Sequence, residues 1–350
     1  MTETKKKVKF DVVIGNPPYQ EDDGGAAASA SPVYQYFVEG AKSLDPNQIV
    51  LITPSRWFVG GKGLDDFRNE MLNDKHIAEI HDWLTPQDVF PTTNIRGGVS
   101  FFIWDKKKDN TQELARVVTH EHNKVIADVR RPIKVAGVDI FIRDSIGLGI
   151  VKKLQRDLDK DCLAEHMSSR KPFGLATTFD RTGTCHVSKN GLKNPVACYM
   201  KGATVVYIER ADIPSHTEWV DKWKLLTTRA NNIGTELPDD NLNTIICPPN
   251  YICTETYLVI GIGMDLDENS VKNLQTYTRT KFVRYLHGLS KASHDATSKT
   301  YRFIPLQDFT AASDIDWTKS IHEIDEQLYR KYALSDDEIN FIEKSIKEMA

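Results

Sequence analysis

The sequence predicts an α/β protein in three parts. A layered sheet domain occupies residues 1–145, an α+β region residues 146–305, and helices residues 306–350. Three observations carry this. Apolar, partly β-branched runs alternate with helical spacing over the first part. Short apolar runs between loops rich in Gly, Asn, Pro and Thr fill the second. In the third, Ile321, Ile324, Leu328 and Tyr332 share one helical face.

In order along the chain, strands are predicted at residues 9–14, 49–53, 77–83 and 98–105. Helices are predicted over 32–44 and 63–73, and alternation of this kind gives a sheet covered by helices. The first strand, Val12-Val13-Ile14, reads as buried. A helix opening near Asp144-Ser145 leads out of the first part. Strands at 204–209 and 257–262 and one helix over 270–286, capped by Asn269 or Ser270, follow. Residues 315–349 read as helical. A low-complexity tract spans residues 24–31.

The chain has 350 residues, 40% hydrophobic and 27% charged, enough for about two domains. No apolar run approaches the roughly 18–20 residues of a membrane span. The polar start Met-Thr-Glu-Thr-Lys-Lys-Lys has no signal-peptide core, so cytoplasmic residence and no membrane partner are expected. The five cysteines form no C-x-x-C pair and read as reduced thiols, with no metal site expected. A net charge of −4 excludes a uniformly basic nucleic-acid binder, but not one with a local basic surface. Residues 279–302 are such a stretch, with Arg279, Lys281, Arg284, Lys291, Lys299 and Arg302 against the single acid Asp295.

The segment "FDVVIGNPPYQ" carries the chemistry. The amino group of a nucleobase is a poor nucleophile because its lone pair is delocalised into the ring. Alkylating it requires acceptors that favour a tetrahedral nitrogen. The Asn16 side-chain oxygen and the Pro17 carbonyl supply two. Pro17 and Pro18 restrict the backbone and so fix that carbonyl's direction. Tyr19 offers a ring on which a base can stack, worth roughly 1–3 kcal/mol. A base in a duplex must first be extruded, at a cost of a few kcal/mol. Asn-Pro-Pro is also a common turn sequence. Its place directly after an apolar strand ending in Gly15 puts it at the C-terminal edge of a sheet, where open α/β folds bind ligands.

At these residues the chain resembles the γ-class adenine-N6 DNA methyltransferases of type II and type IIG restriction–modification systems. "IVLITPSRWF" is similar to the family's next strand and "FRNEMLND" to the helix after it. "VFPTTNIRGGVSFFIWDK" resembles the later motif whose Phe walls the adenine pocket, here Phe90. The likeness covers roughly the first 110 residues. "TKFVRYLHGLSKASHDATSKTYRFIPLQDF" and "IDEQLYRKYALSDDEINFIEKSIKEM" look like the recognition and C-terminal parts, less diagnostically. The resemblance implies a partial Rossmann-like catalytic domain, a target-recognition domain and a C-terminal helical segment. It further implies S-adenosylmethionine as methyl donor and double-stranded DNA as partner. Asn16 and Pro17 would orient N6, while Tyr19 and Phe90 sandwich the ring.

The chain departs from that pattern in one respect. The family's glycine-rich cofactor loop follows a strand that comes before Asn-Pro-Pro-Tyr, and only nine residues precede Phe10. The expectation is that the cofactor half lies elsewhere, for instance on a second polypeptide. "TYLVIGIGMDLD", with Gly261, Gly263, Asp265 and Asp267, is the alternative position for a permuted site. Gly147 and Gly149 read as helix packing, and "ICPPNY" as a turn.

Arg56, Lys171, Arg279, Lys281, Arg284, Lys291 and Lys299 are the expected DNA contacts, with a solvated helical face as the plain alternative. A restriction endonuclease is a further expected partner. It is not expected within this chain, since the Pro238-Asp239 step lacks an acid-x-Lys triplet after it. The competing functions are a non-catalytic DNA-binding component and, third, a protein-glutamine or RNA methyltransferase.

Overall fold

The computed structural model describes residues 9–21, 30–93, 95, 97–231, 241–291, 295–347 and 349. The Pro238-Asp239 step and most of the 24–31 tract lie outside them. The chain forms two compact units, Met1–Leu148 and Gly149–Ala350, and both are mixed α/β.

The first unit is built on strands β1 (Val12–Gly15), β2 (Gln48–Pro54), β3 (Ile77–Trp83), β4 (Val99–Asp105), β5 (Ala115–Glu121) and β6 (Lys124–Arg131), with helices α1 (Tyr34–Ser43) and α2 (Asp65–Asn73). The sheet order is β1-β2-β4-β3-β5-β6. β1 runs parallel to β2 and β3 parallel to β5, while β4 is antiparallel to both β2 and β3. β5 and β6, joined by His122-Asn123 at positive φ, are a hairpin that the sequence reading did not resolve.

Side chains alternate across this sheet. One face carries Ile49, Leu51, Ile80, Phe102 and Trp104 into a core with Tyr34, Val38, Trp57, Phe67 and Met71. The other carries Val50, Ile52, Ile103 and an aromatic row, all half-buried. In that row His81 stacks on Phe101 (centroids 4.4 Å) and Trp83 on His120 (4.2 Å).

The strand expected to be buried is not. β1 is an edge strand, with Val12 50% and Ile14 78% exposed. Its register, Ile14 beside Val50 and Val13 beside Ile49, turns Ile14 to the open face. An apolar run shows only that a strand suits a buried position; its neighbours decide whether it occupies one.

The second unit follows on α3 (Ser145–Leu158), a helix that begins where expected. It holds β7 (Pro195–Tyr199), β8 (Val205–Glu209), β9 (Lys224–Thr228), β10 (Ile245–Cys247), β11 (Tyr251–Cys253) and β12 (Tyr257–Ile260). These make two three-stranded sheets, β10-β9-β12 and β11-β7-β8. Phe173, Val196, Ile208, Leu226, Ile252 and Val259 share their core.

The helix expected over 270–286 is two, α4 (Glu268–Arg279) and α5 (Lys281–Leu289). Thr280 leaves the helical region at ψ 149 and its hydroxyl accepts the Val283 N–H, so it ends one helix and caps the next. Asp267, not Asn269 or Ser270, caps α4, in a reciprocal box with Ser270. The final stretch is likewise α6 (Ile321–Lys331) and α7 (Asp336–Ser345), each opened by a Ser-x-x-Glu box at Ser320 and Ser335. Phe282 and Tyr332 stack between α5 and the end of α6, planes 5° apart.

Candidate active site

The loop Asn16-Pro17-Pro18-Tyr19 leaves the C-terminal end of β1. Pro17 is buried and anchors it, while Asn16 is exposed. The Asn16 amide has no hydrogen-bond partner among the described residues, so it is available to a ligand. Beyond it, the Tyr19 carbonyl accepts the Val33 N–H at 3.2 Å and the Ser31 carbonyl accepts the Glu21 N–H at 3.0 Å. This short backbone bridge ties the loop to the segment entering α1.

Phe90 meets this loop. It follows the 3-10 turn Pro86–Asp88, its N–H donating to the Pro86 carbonyl at 2.8 Å. The Tyr19 and Phe90 rings are neighbours, centroids 6.3 Å apart and planes at 73°. Two walls around a stacked base must be parallel and about 7 Å apart, twice the optimal carbon contact. The rings are therefore near the needed separation but pack edge to face, and one must turn to admit a base. The Tyr19 hydroxyl is buried without a hydrogen-bond partner, and burial pushes its pKa up to about 12. A buried hydroxyl without a protein partner is satisfied by an ordered water or a ligand.

A polar network not anticipated from sequence holds the neighbouring strand ends. The Asp82 carboxylate on β3 is buried (1% exposed) and accepts from Ser55 Oγ at 2.6 Å. It also accepts from Arg143 Nε at 2.5 Å and Nη2 at 2.8 Å. Arg143 Nη1 donates to the Gly97 carbonyl at 2.8 Å, and the Ser55 N–H donates to the Gly98 carbonyl at 3.0 Å. Gly98 is required here: at φ +92 an added Cβ would lie 2.1 Å from Arg143 Nη2. An acid on the same face as Ile80 in the strand "IAEIHDW", Asp82, was the sequence signal for this network.

Around Asn16 the described residues do not compose a cofactor site. Among the described residues, the loop after β1 has no glycine turn and no strand lies against the free edge of β1. Gly60, Gly61 and Gly63, all at positive φ, precede α2. Asp65 and Asp66 occupy the first turn of that helix, and the Asp65 carboxylate already takes the Gly61 N–H at 3.2 Å. Gly261 and Gly263 sit in the second unit after β12, an antiparallel strand, and line a 320 Å³ pocket with Trp219, Trp223 and Lys222. Asp267 there is spent on its helix cap. Gly149 lies within α3 and "ICPPNY" is the connection from β10 to β11.

The expected cations divide into two groups. Arg56, in the turn Ser55–Phe58 after β2, is half-buried with Nε unpartnered, while Lys171 and Lys299 are exposed. Arg279 ends α4 and lines a groove. Lys281, Arg284 and Lys291 are corrections. Lys281 is paired with Glu343 at 2.5 Å, and Arg284 is fully buried with its guanidinium on the Arg279 and Lys347 carbonyls. Lys291 donates to Asn231 in the interior, where burial pushes its pKa down to about 8. Lys281 and Arg284 face inward because α5 is packed against α6, α7 and the Ser298–Tyr301 turn, and Lys291, just past its end, turns to Asn231.

Residues 1–90 match the Eco57I restriction-modification methylase family. Asn16 and Phe90 both lie inside the matched stretch. An uncharacterized adenine-specific methylase of Mycoplasma pneumoniae (strain ATCC 29342 / M129 / Subtype 1) is 36% identical over 100 residues. That stretch is 28% of this chain and 24% of the relative, so the match spans about a quarter of the relative's length. Among solved structures, the type IIL restriction-modification enzyme MmeI in complex with DNA aligns with TM-score 0.49 and 11% identity, covering 95% of this chain and 56% of that one. The type IIG restriction endonuclease BpuSI aligns with TM-score 0.36 and 12% identity, covering 96% and 53%. Among the described residues no helix is long and apolar enough to cross a membrane.

Proposed function

We propose that this chain holds an extruded adenine of double-stranded DNA and presents its N6 amino group for methylation within a restriction–modification system. The observation that carries the reading is the Asn16–Tyr19 loop at the C-terminal end of β1, with an unengaged Asn16 amide and the Phe90 ring against Tyr19. In this reading Asn16 Oδ1 and the Pro17 carbonyl accept the two N6 hydrogens. That favours a tetrahedral nitrogen, whose lone pair is withdrawn from conjugation with the ring and becomes nucleophilic. Tyr19 and Phe90 hold the base by its faces. The catalysis is positioning and polarisation. A DNA substrate places the work in the cytoplasm, and a restriction endonuclease is the natural partner of such a system.

S-adenosylmethionine is the methyl donor in this reading, from a site that the described residues do not form. A parallel strand added to the free edge of β1 would bring a cofactor loop beside Asn16. The exposed apolar residues Phe10, Val12 and Ile14 at that strand, with Tyr36 and Phe37 on α1, support such a docking. A second polypeptide is one carrier of this segment.

The test is the N6-methyladenine content of genomic DNA, by mass spectrometry and methylation-sensitive sequencing, when the native locus encodes Asn16→Ala. Loss of methylation at one sequence motif is expected. Unchanged methylation at every motif overturns the reading. That the described residues form no cofactor cradle around Asn16 favours a second one, a DNA-binding component without catalysis. That alternative gains if the Asn16→Ala chain binds DNA normally and the native locus never methylates.

A further inference from the structure

We propose that His81 on β3 and His120 on β5 form a binding site for a divalent transition-metal ion of the Zn²⁺, Ni²⁺ or Cu²⁺ kind, on the open face of the first sheet. The inference goes beyond the methylation reading and does not rest on it. The two histidines are 39 residues apart and leave no metal motif in the sequence. Strand pairing alone brings them together.

β3 and β5 run parallel with Val118 beside His81 and Trp83 beside His120, so the histidines are diagonal neighbours on one face. The pairing of β5 with β6 slips between Thr119 and His120, an irregularity of the kind that re-aims a side chain. Each imidazole is backed by an aromatic ring. His81 lies on Phe101, planes 12° apart, and His120 on Trp83, planes 7° apart. The two imidazole planes differ by 25°. Both rings are thus held in place before an ion arrives, which lowers the ordering cost of binding.

His81 Nδ1 and His120 Nε2 are 3.3 Å apart. That is long for a hydrogen bond, whose usual limit between heavy atoms is about 3.2 Å. It matches two nitrogens on one tetrahedral ion, which stand roughly 3.3–3.4 Å apart when each bond is about 2.0–2.1 Å. The protons suit such a site. Glu79 Oε2 lies 3.2 Å from His81 Nε2, and a carboxylate only accepts. In the neutral ring the proton therefore sits on Nε2, and Nδ1 carries a lone pair. Arg116 Nη1 steadies the same carboxylate oxygen at 3.4 Å, and Arg116 is itself fixed on Asp128 at 2.7 Å. A carboxylate behind a ligating histidine orients the ring and raises its basicity. With its own proton on Nδ1, His120 turns a second lone pair to the same point. Paired imidazoles suit zinc, nickel and copper. Among the described residues no group of three or more His, Cys, Asp or Glu is placed to hold a metal ion, so water completes the coordination.

The experiment is calorimetric titration of the full chain, purified without an affinity tag, with Zn²⁺ at neutral pH, followed by X-ray absorption of the zinc-loaded chain. One saturable site is expected. His81→Gln and His120→Gln should each weaken it by about tenfold or more, and Glu79→Gln by about tenfold. His322→Gln, at an exposed histidine outside the pair, should leave it unchanged. The absorption spectrum should show nitrogen and oxygen at about 2.0–2.1 Å and no sulfur at about 2.3 Å. Ni²⁺ or Cu²⁺ should quench part of the tryptophan emission, and Trp83→Phe should remove that part, because Trp83 lies on His120. Three results overturn the site: no saturable binding below about 1 mM, affinity unchanged in both histidine variants, or a sulfur shell around the zinc. If the histidine variants do not unfold cooperatively in urea, the emission test decides. Quenching that Trp83→Phe retains in full overturns the site as well.

Discussion

Arg143 grips the buried Asp82 carboxylate through Nε at 2.5 Å and Nη2 at 2.8 Å, while its Nη1 reaches the Gly97 carbonyl. One guanidinium thereby joins β3 to the turn before β4. Removing one partner of a buried pair leaves an uncompensated charge, which typically costs 3–5 kcal/mol. Asp82→Ala should therefore destabilise the chain by about 3 kcal/mol, read as a shift of the urea midpoint. A loss under about 1 kcal/mol would mean that solvent already compensates Arg143.

Tyr19 and Phe90 pack edge to face, so capture of a base requires a ring to turn. A duplex with 2-aminopurine opposite an abasic position offers a base that is already unpaired. Its emission should change saturably on adding the chain. Tyr19→Ala and Phe90→Ala should each weaken that response by about 1–3 kcal/mol. Identical titrations for all three chains would remove both rings from the site.

Ile14 is 78% exposed, so Ile14→Lys should leave the chain's own stability within about 0.5 kcal/mol. If the free edge of β1 receives a cofactor-bearing strand, the same change should abolish methylation at the native locus. Full methylation by a stable Ile14→Lys chain would move the cofactor segment elsewhere.

Asp325 supplies a pH signature. Its carboxyl is buried, and that burial pushes its pKa up to about 6 although the Lys281 and Phe282 N–H groups both donate to it at 2.9 Å. The folded chain thus holds this proton more tightly than the unfolded chain, whose Asp titrates near ~3.9. The contribution is full below about pH 4 and is lost as pH rises through about 6, by roughly 3 kcal/mol. His287 acts oppositely. Its burial holds the ring neutral well below the ordinary range, so its contribution is present above about 6.5 and is lost as pH falls through and below that value. Subtracting the stability of Asp325→Asn from that of the unmodified chain at each pH isolates the carboxyl. That difference should favour the unmodified chain by about 2 kcal/mol more at pH 4.5 than at pH 7. A difference constant across this range would refute the assignment.

Much of the first unit was legible because its elements are local. The strand at Ile77–Trp83 and the strands and helices around it follow from apolar spacing. The β5–β6 hairpin was missed because Lys124–Arg131 is a mostly exposed edge strand whose short apolar runs are broken by Asp128 and end in Arg130-Arg131, so it shows no clean alternation. Thr280 was missed as a break because Thr is tolerated within helices; only its hydroxyl on the Val283 N–H makes it a cap.

By itself the sequence determined the Asn16–Tyr19 loop, the strand before it and the type of chemistry proposed for its amide, prolines and ring. These are local properties of residue type and order. Tertiary structure decided that β1 lies at a sheet edge and that Phe90 reaches Tyr19. It also decided that Lys281, Arg284 and Lys291 turn inward and that His81 meets His120. Charge and apolarity are written along the chain, but which face a side chain presents depends on strand order and helix packing. Those are settled by contacts between residues far apart in sequence.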